Sequence, residues 1–306
     1  MTHSSPTASP LWGRLTIAVL GGDEREQEIC RRAAATGAAV RAFGFPWPST
    51  GIPGVAAVAD AVAALNGANI VLMPIPGIAN DGSLFATTRI VPDEALLRCM
   101  AAGGHIILGR ADANLNRAAA ALGIQIHEYE GDQELMLLRA PAIVEGVLKV
   151  VIENTVITIH RARICVVGQG NIGTVLTRTL IALGAQVTVA ARNPIQRASA
   201  YALGAVAVTL EELPAIAGSF DVLMSTASAP IVNAALIDRL SPHALILDLS
   251  APPGSCDLEY GNRSGRKAVW ARALGRRAPV TVGASQWTGI SRIIAAILQE
   301  ACRHAS

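Results

Sequence analysis

The sequence lacks any cysteine pair at redox or metal spacing: its 5 cysteines, Cys30, Cys99, Cys165, Cys256 and Cys302, are scattered and odd in number. A disulfide or zinc framework is therefore not expected, and the thiols read as reduced cytosolic ones. The 6 histidines are equally dispersed, with no His-Glu-x-x-His, so no metal site is expected either. Charge of one sign is also missing. Against 23 Asp and Glu stand 25 Lys and Arg, which leaves no global field to gather nucleic acid. There is no Gly-x-Ser-x-Gly elbow and no Walker loop, the motifs on which a hydrolase or kinase assignment would stand. The longest uncharged stretch, 61–80, is broken by Asn66, Gly67, Asn69, Pro74, Pro76 and Gly77, and does not suit a membrane span. Near the start, the polar residues 1–10 and the short apolar run 15–20 lack the charged region and longer apolar core of a signal peptide. A cytoplasmic protein with no membrane attachment is expected.

What is present is a chain of 306 residues, 51% apolar and only 16% charged, enough for two ordinary cores. After a polar tail, the β-branched run Leu15 to Leu20 meets Gly21-Gly22, and a helical pattern follows from about Asp23 to Thr36. Similar apolar runs recur at 39–45, 70–74, 105–109 and 124–129, separated by Ala-rich segments long enough for helices. From Pro141 to about Asn154, Ile143, Val144, Val147, Leu148, Val151 and Ile152 keep helical spacing, with Pro141 suited to a first turn. A second alternation then places strands at 163–168, 186–190, 205–208, 221–224, 244–249 and 280–282. Strands alternating with helices imply α/β architecture with two doubly wound parallel-sheet domains. The expected boundaries are a flexible tail over 1–13, a flavodoxin- or Rossmann-like substrate-side domain over 14–140 and a linking helix over 141–160. A Rossmann dinucleotide-binding domain over 161–287 and a C-terminal helix over 288–306 complete the chain, the last expected to return toward the first domain.

The sharpest motif is Gly168-Gln169-Gly170-Asn171-Ile172-Gly173, directly after a buried-type strand and at the opening of a helix. The first glycine permits the turn, the second lets backbone approach a pyrophosphate, and the third lets helix and strand pack closely. The helix N-terminus then favours the anion. At the end of the next strand an acid would bind the ribose of NAD, but here Ala191-Arg192-Asn193 carries none. An Arg at that place favours the 2′-phosphate of NADP (NADPH), with Arg197 as auxiliary. Thr226 and Ala227, after one strand, and Ser250, after another, are expected to border the nicotinamide side. Hydride transfer is thus the expected chemistry. The segment Leu240 to Ser250 looks like the strand before the catalytic Arg of D-2-hydroxyacid dehydrogenases, yet Ala251-Pro252-Pro253 stands where that Arg would be. A simple 2-hydroxy acid oxidoreductase is therefore disfavoured.

The order of motifs resembles that of one family, the A subunit of dipicolinate synthase, over nearly the whole chain. The residues that carry the resemblance are Ile17 to Asp23 with Arg25, Ala142 to Gly146, Thr158 to His160, the glycine loop, Thr188 to Arg192, Leu247 to Leu249, and Pro253-Gly254 with Asp257. The resemblance implies NADP-dependent oxidation of a dihydrodipicolinate-type intermediate of lysine biosynthesis to dipicolinate, usually with a flavoprotein-like second subunit. Such an oxidation removes a hydride and a proton from a dihydropyridine, and aromatisation drives it, so one modest base suffices. Glu145, Asp23 and Asp257 are the candidates, Asp248 being less suited because it sits inside an apolar strand. A small dicarboxylate substrate also needs cations, for which Arg25, Arg263 and Arg266 are candidates; the last two equally suit a solvated loop. With aromatic interleaving limited to Trp270, that basic stretch is not expected to bind nucleic acid. A homo-oligomer is expected. Two alternatives stay open: an NADP(H) oxidoreductase for another cyclic imine or keto acid, and an inert nucleotide-binding subunit.

Overall fold

The computed structural model describes residues 11–304. They form two compact units, one joining the residues up to Arg139 to the segment from Ala278 onward, the other Ala140–Arg277. In the first, six strands, β1 (Thr16–Leu20), β2 (Ala39–Phe43), β3 (Val55–Ala57), β4 (Ile70–Leu72), β5 (His105–Leu108) and β6 (Gln125–Glu128), pair in the order 3-2-1-4-5-6, every pair parallel. Parallel pairing demands a crossover between strands. Here the crossovers include helices α1 (Glu24–Ala34), α2 (Ala61–Leu65), α3 (Glu94–Leu97) and α4 (Ala113–Ala121). Central strands covered on both faces must be apolar throughout, as Ile17 to Leu20 and Ile70 to Leu72 are.

α1 starts where it does because Asp23 and Glu26 form a capping box. The Asp23 carboxylate accepts from Arg25 N at 3.1 Å, while Glu26 Oε2 reaches back to Asp23 N at 2.7 Å. Gly22, at φ +105°, makes this possible, since a Cβ there would lie 2.1 Å from Glu26 Cδ. The inner face of the helix buries Ile29, Cys30 and Ala33.

Helix α5 (Gln133–Asn154) carries the chain from the first unit into the second. It begins earlier than the sequence pattern indicates, leaving Pro141 in its interior. The cause is tertiary: the Asp132 carboxylate accepts from Glu134 N and Leu135 N, Leu135 is buried, and Arg292 pairs with Asp132 and Glu134.

The second unit repeats the plan. β7 (Arg163–Val167), β8 (Gln186–Ala190), β9 (Val206–Val208), β10 (Val222–Ser225), β11 (Leu245–Asp248) and β12 (Lys267–Trp270) are all parallel, in the order 12-11-10-7-8-9. Between them lie α6 (Asn171–Ala182), α7 (Pro194–Ala202), α8 (Leu213–Ile216), α9 (Ala234–Ile237) and α10 (Leu258–Arg263). The two parallel six-stranded sheets agree with the α/β class read from the sequence.

The last helix, α11 (Pro279–His304), belongs to the first unit. Trp287, Ile290 and Ile294 join Ile29 of α1 and Leu135 of α5 in one buried cluster. Two glycines seat it: a Cβ on Gly283 would lie 2.6 Å from Arg25 O, and one on Gly289 2.4 Å from Leu135 Cδ1. The run 280–282, expected as a strand, is the first turn of this helix, because Val282 is buried by helix packing and strand six is supplied by β12 instead. Of the tail expected over 1–13, residues 1–10 lie outside the described residues. Trp12–Arg14 form a 3-10 turn, and the Trp12 ring packs 6.0 Å from that of Trp287. No described helix is long and apolar enough to cross a membrane.

Glu26 is 2% exposed, and burial pushes its carboxyl up to about 7. A folded-state value above the ordinary one means that the folded chain keeps a proton which the unfolded chain releases. Stability is then full at low pH and falls as pH rises through about 7. In urea unfolding at about pH 5 and about pH 8, Glu26→Gln should gain on the wild type by roughly 2–3 kcal/mol across that interval. Parallel pH dependences of the two proteins would reject a protonated Glu26.

Candidate dinucleotide site

In the second unit the strand order reverses between β7 and β10, and the crevice at the carboxyl ends of those strands is where an open α/β sheet binds ligands. β7 runs into Gly168, held at φ +94°, and Gly168 N donates to Ala190 O at 2.9 Å. Each glycine of the loop answers to a different constraint. A Cβ on Gly168 would lie 2.8 Å from Thr226 Oγ1, and one on Gly173 would lie 2.3 Å from Gly168 O, so both positions are closed by the protein itself. Gly170 has nothing within 4 Å of where its Cβ would stand. It is also the N-cap of α6 without a side-chain cap. The first amides of a 12-residue helix therefore keep their donors for something else.

Around this loop lies a cavity of about 420 Å³. Its walls include Gly168, Gln169 and Gly170, then Arg192, Asn193 and Gln196 beyond β8, and Thr226, Ala227 and Ser228 beyond β10. Among the described residues Arg192 is the one charged side chain on these walls, and no carboxylate lines them. Gln169 is nearly fully buried. Its Oε1 accepts from Thr177 Oγ1 at 2.9 Å, while Nε2 finds no protein acceptor. An orphaned buried donor, an uncapped helix start and an open face at Gly170 fit the phosphates of a dinucleotide.

Of the predicted cofactor residues, Gly168, Gln169, Gly170, Arg192, Thr226 and Ala227 line the cavity. Asn171 and Ile172 form the first turn of α6, and Gly173 secures its contact with the strand. Arg197 has a different occupation from the auxiliary one expected: its Nη1 donates to Ala191 O at 2.8 Å and Arg192 O at 2.7 Å, bracing the turn that presents Arg192. Ser250 does not line the cavity, and it donates through both N and Oγ to Asp248 Oδ1, at 2.9 and 2.6 Å. Asp248 is fully buried and also accepts from Ser255 N at 2.6 Å and Cys256 N at 2.8 Å. This carboxylate shapes the whole loop after β11, a role that an apolar strand hides. Sequence reasoning did not single out Asn193 and Gln196 for these walls; only their distance from a strand end could have signalled them.

The residues expected to act on substrate are spread over both units. In the first, Asp23 caps α1, and Arg25 grips its carboxylate with two hydrogen bonds of 2.7 and 2.8 Å. In the second, Glu145 of α5 is exposed and pairs with Arg277. Asp257 caps α10 through Tyr260 N at 2.9 Å. Arg263 pairs with Glu259 one turn away, at 2.6 Å. Arg266 donates to the carbonyls of Asp238 and Leu240, at 3.2 and 2.8 Å. None of these last four lines the dinucleotide cavity.

Such a fold and loop define a two-domain protein of the dehydrogenase type, whose Rossmann domain is of the kind that holds a nicotinamide dinucleotide. Residues 151–257 match the family model of shikimate / quinate 5-dehydrogenase, and residues 16–130 that of the N-terminal domain of the dipicolinate synthase A subunit. From end to end the chain resembles the A subunit of dipicolinate synthase. With that of Bacillus subtilis (strain 168) it shares 29% identity over 290 residues, covering 94% of this chain and 98% of the relative. The crystal structure of the corresponding protein from Bacillus halodurans has a TM-score of 0.85 at 25% identity, over 94% of this chain and 99% of its own. That of the protein from Bacillus subtilis has a TM-score of 0.84 at 27% identity, over 97% and 100%.

The last two glycines of the loop separate folding from binding. Gly173→Ala should lower stability by about 1–3 kcal/mol, because the Gly168 carbonyl must give way. Gly170→Ala should melt like the wild type yet bind a nicotinamide dinucleotide at least about tenfold more weakly, by filling the space a phosphate needs. Fluorescence titration with the reduced dinucleotides NADH and NADPH beside thermal melting checks both. Equal affinity in Gly170→Ala would show that the phosphates lie elsewhere.

Proposed function

We propose that this chain is the dehydrogenase-type subunit of a dipicolinate synthase, oxidising dihydrodipicolinate or its hydrated precursor to dipicolinate with NADP. The observation that carries this reading is the similarity, across both units, to the A subunit of dipicolinate synthase. The cofactor preference rests on the cavity itself. Arg192 is exposed there, unpaired among the described residues, and no acid is present to repel a 2′-phosphate. NADP, when bound, is the hydride acceptor. The amides at the start of α6 and the Gln169 amide hold its phosphates, and Arg197 keeps the Arg192 turn in place.

The substrate loses one hydride and one proton, so a base on this chain must receive the proton as the ring becomes aromatic. Asp23, Glu145 and Asp257 are the proposed candidates. A flavoprotein-like second subunit is the partner this reading brings with it.

The test is to generate dihydrodipicolinate in situ and follow NADPH and dipicolinate together, with and without that partner. Dipicolinate formed in step with NADPH is expected; intact NADPH binding with no product under either condition would reject the reaction. In the same assay Arg192→Glu should reverse the preference from NADP toward NAD, and unchanged NADP affinity would remove Arg192 from the site. Among Asp23→Asn, Glu145→Gln and Asp257→Asn, loss of the base should lower kcat by about 10²–10⁴-fold and abolish the acidic limb of its pH profile. The two bystander replacements should leave that limb in place.

A further inference from the structure

Among the described residues no carboxylate forms an ion pair with Arg139, and Glu130 acts on it only from beyond ion-pair distance. Arg139 lies in the seventh position of α5, in the first unit, and its guanidinium is largely withdrawn from solvent. Among the described residues it makes one hydrogen bond, from Nη2 to the Met136 thioether, and its buried Nε has no partner. A thioether is a weak acceptor, and a guanidinium carries five N–H donors. Taking such a group out of water without an anion is costly, so a folded chain that does so has a use for its unspent donors.

The acids nearby are already committed. Asp23 is held in the two-point grip of Arg25 and caps α1. The Glu26 carboxyl binds Asp23 N, and burial keeps its proton up to about 7. Glu130 is half exposed and paired with Arg110 at 3.9 Å. Tyr129, which follows β6, is 4% exposed and packs in the cluster that holds Ile29 of α1 and Leu135 of α5. Its phenol is kept protonated by burial and by Glu26, and so remains a donor. Tyr129 feels both Arg25 and Arg139, and Arg139 in turn feels Tyr129, Glu130 and Arg25.

We infer that Arg139 is a carboxylate-binding residue: its free guanidinium edge takes one carboxylate of the substrate, beside the Tyr129 hydroxyl and the Arg25 ion pair. The planar fork of arginine matches a carboxylate with two parallel hydrogen bonds, which the Met136 sulfur cannot supply. This assignment rests on the proposed dicarboxylate substrate, and it adds a specificity role that neither Arg263 nor Arg266 can fill while bound to Glu259 and to backbone carbonyls.

The test compares wild type, Arg139→Met and Arg139→Lys in calorimetric titrations with dipicolinate and with picolinate, which has one carboxylate fewer. Thermal melting and NADPH titration accompany them. Wild type should bind dipicolinate more tightly than picolinate. Arg139→Met should weaken dipicolinate binding by about tenfold or more and erase that difference, and Arg139→Lys should restore part of it. NADPH affinity should not move. Without ligand, Arg139→Met should melt at or above the wild-type temperature, since it removes an unpaired buried charge; a purely structural arginine would lower it. Unchanged dipicolinate affinity in Arg139→Met, or no binding of dipicolinate by wild type, would overturn the assignment. The two proposals fail separately. Turnover of dihydrodipicolinate with an unaltered KM in Arg139→Met removes the carboxylate site and keeps the reaction, whereas Arg139-dependent binding of dipicolinate without turnover keeps the site and removes the reaction.

Discussion

Parallel pairing is the constraint from which the rest follows. Because every strand pair in both sheets is parallel, each connection must cross back over the sheet, and all the carboxyl ends of a sheet gather on one side. With the order 3-2-1-4-5-6, crossovers leave the first strand in opposite directions, and the layer of helices cannot close above that point. In the second unit this opening receives the glycine loop between β7 and α6. The contact of Gly173 with the Gly168 carbonyl then decides how near the helix start comes to the strand. The site is thus a product of topology first and of residue identity second.

A second regularity concerns charge. Most ionised side chains near the strand ends are consumed by the backbone or by one another. Asp248 receives four donors from its own loop, Arg197 braces two carbonyls, Arg266 does the same at another turn, and Asp23 and Arg25 bind each other. Against that background two guanidiniums stand out among the described residues, Arg192 in the second unit and Arg139 in the first. Neither pairs with a carboxylate among the described residues, and in the proposed function an anionic ligand completes each.

What was legible in the sequence is what local chemistry determines. The glycine spacing and the long apolar central strands act within a few residues, and each was visible there. The elements that escaped are set from far away. The start of α5 depends on Arg292, and the first turn of α11 depends on burial of Val282 and on the fit of Gly283 against Arg25. Strand β12 hides within a basic stretch because an edge strand needs few apolar residues. Side-chain duty was the least legible. Nothing in a string of letters distinguishes Arg197, which folds back on its own turn, from Arg192 beside it, or marks Arg139 among the helical residues after Leu137-Leu138.

The placement of α11 closes the first core with the last segment of the chain to be made. Trp287, Ile290 and Ile294 complete a core whose other members come from the first hundred and forty residues or so of the chain. A ribosome therefore delivers everything the second unit needs before it delivers the last piece of the first. Domains generally fold as units during synthesis, the earlier one first. Here the core of the N-terminal unit is complete only once α11 has been synthesised, after the whole of the second unit, and until then Trp287, Ile290 and Ile294 do not cover Ile29 and Leu135.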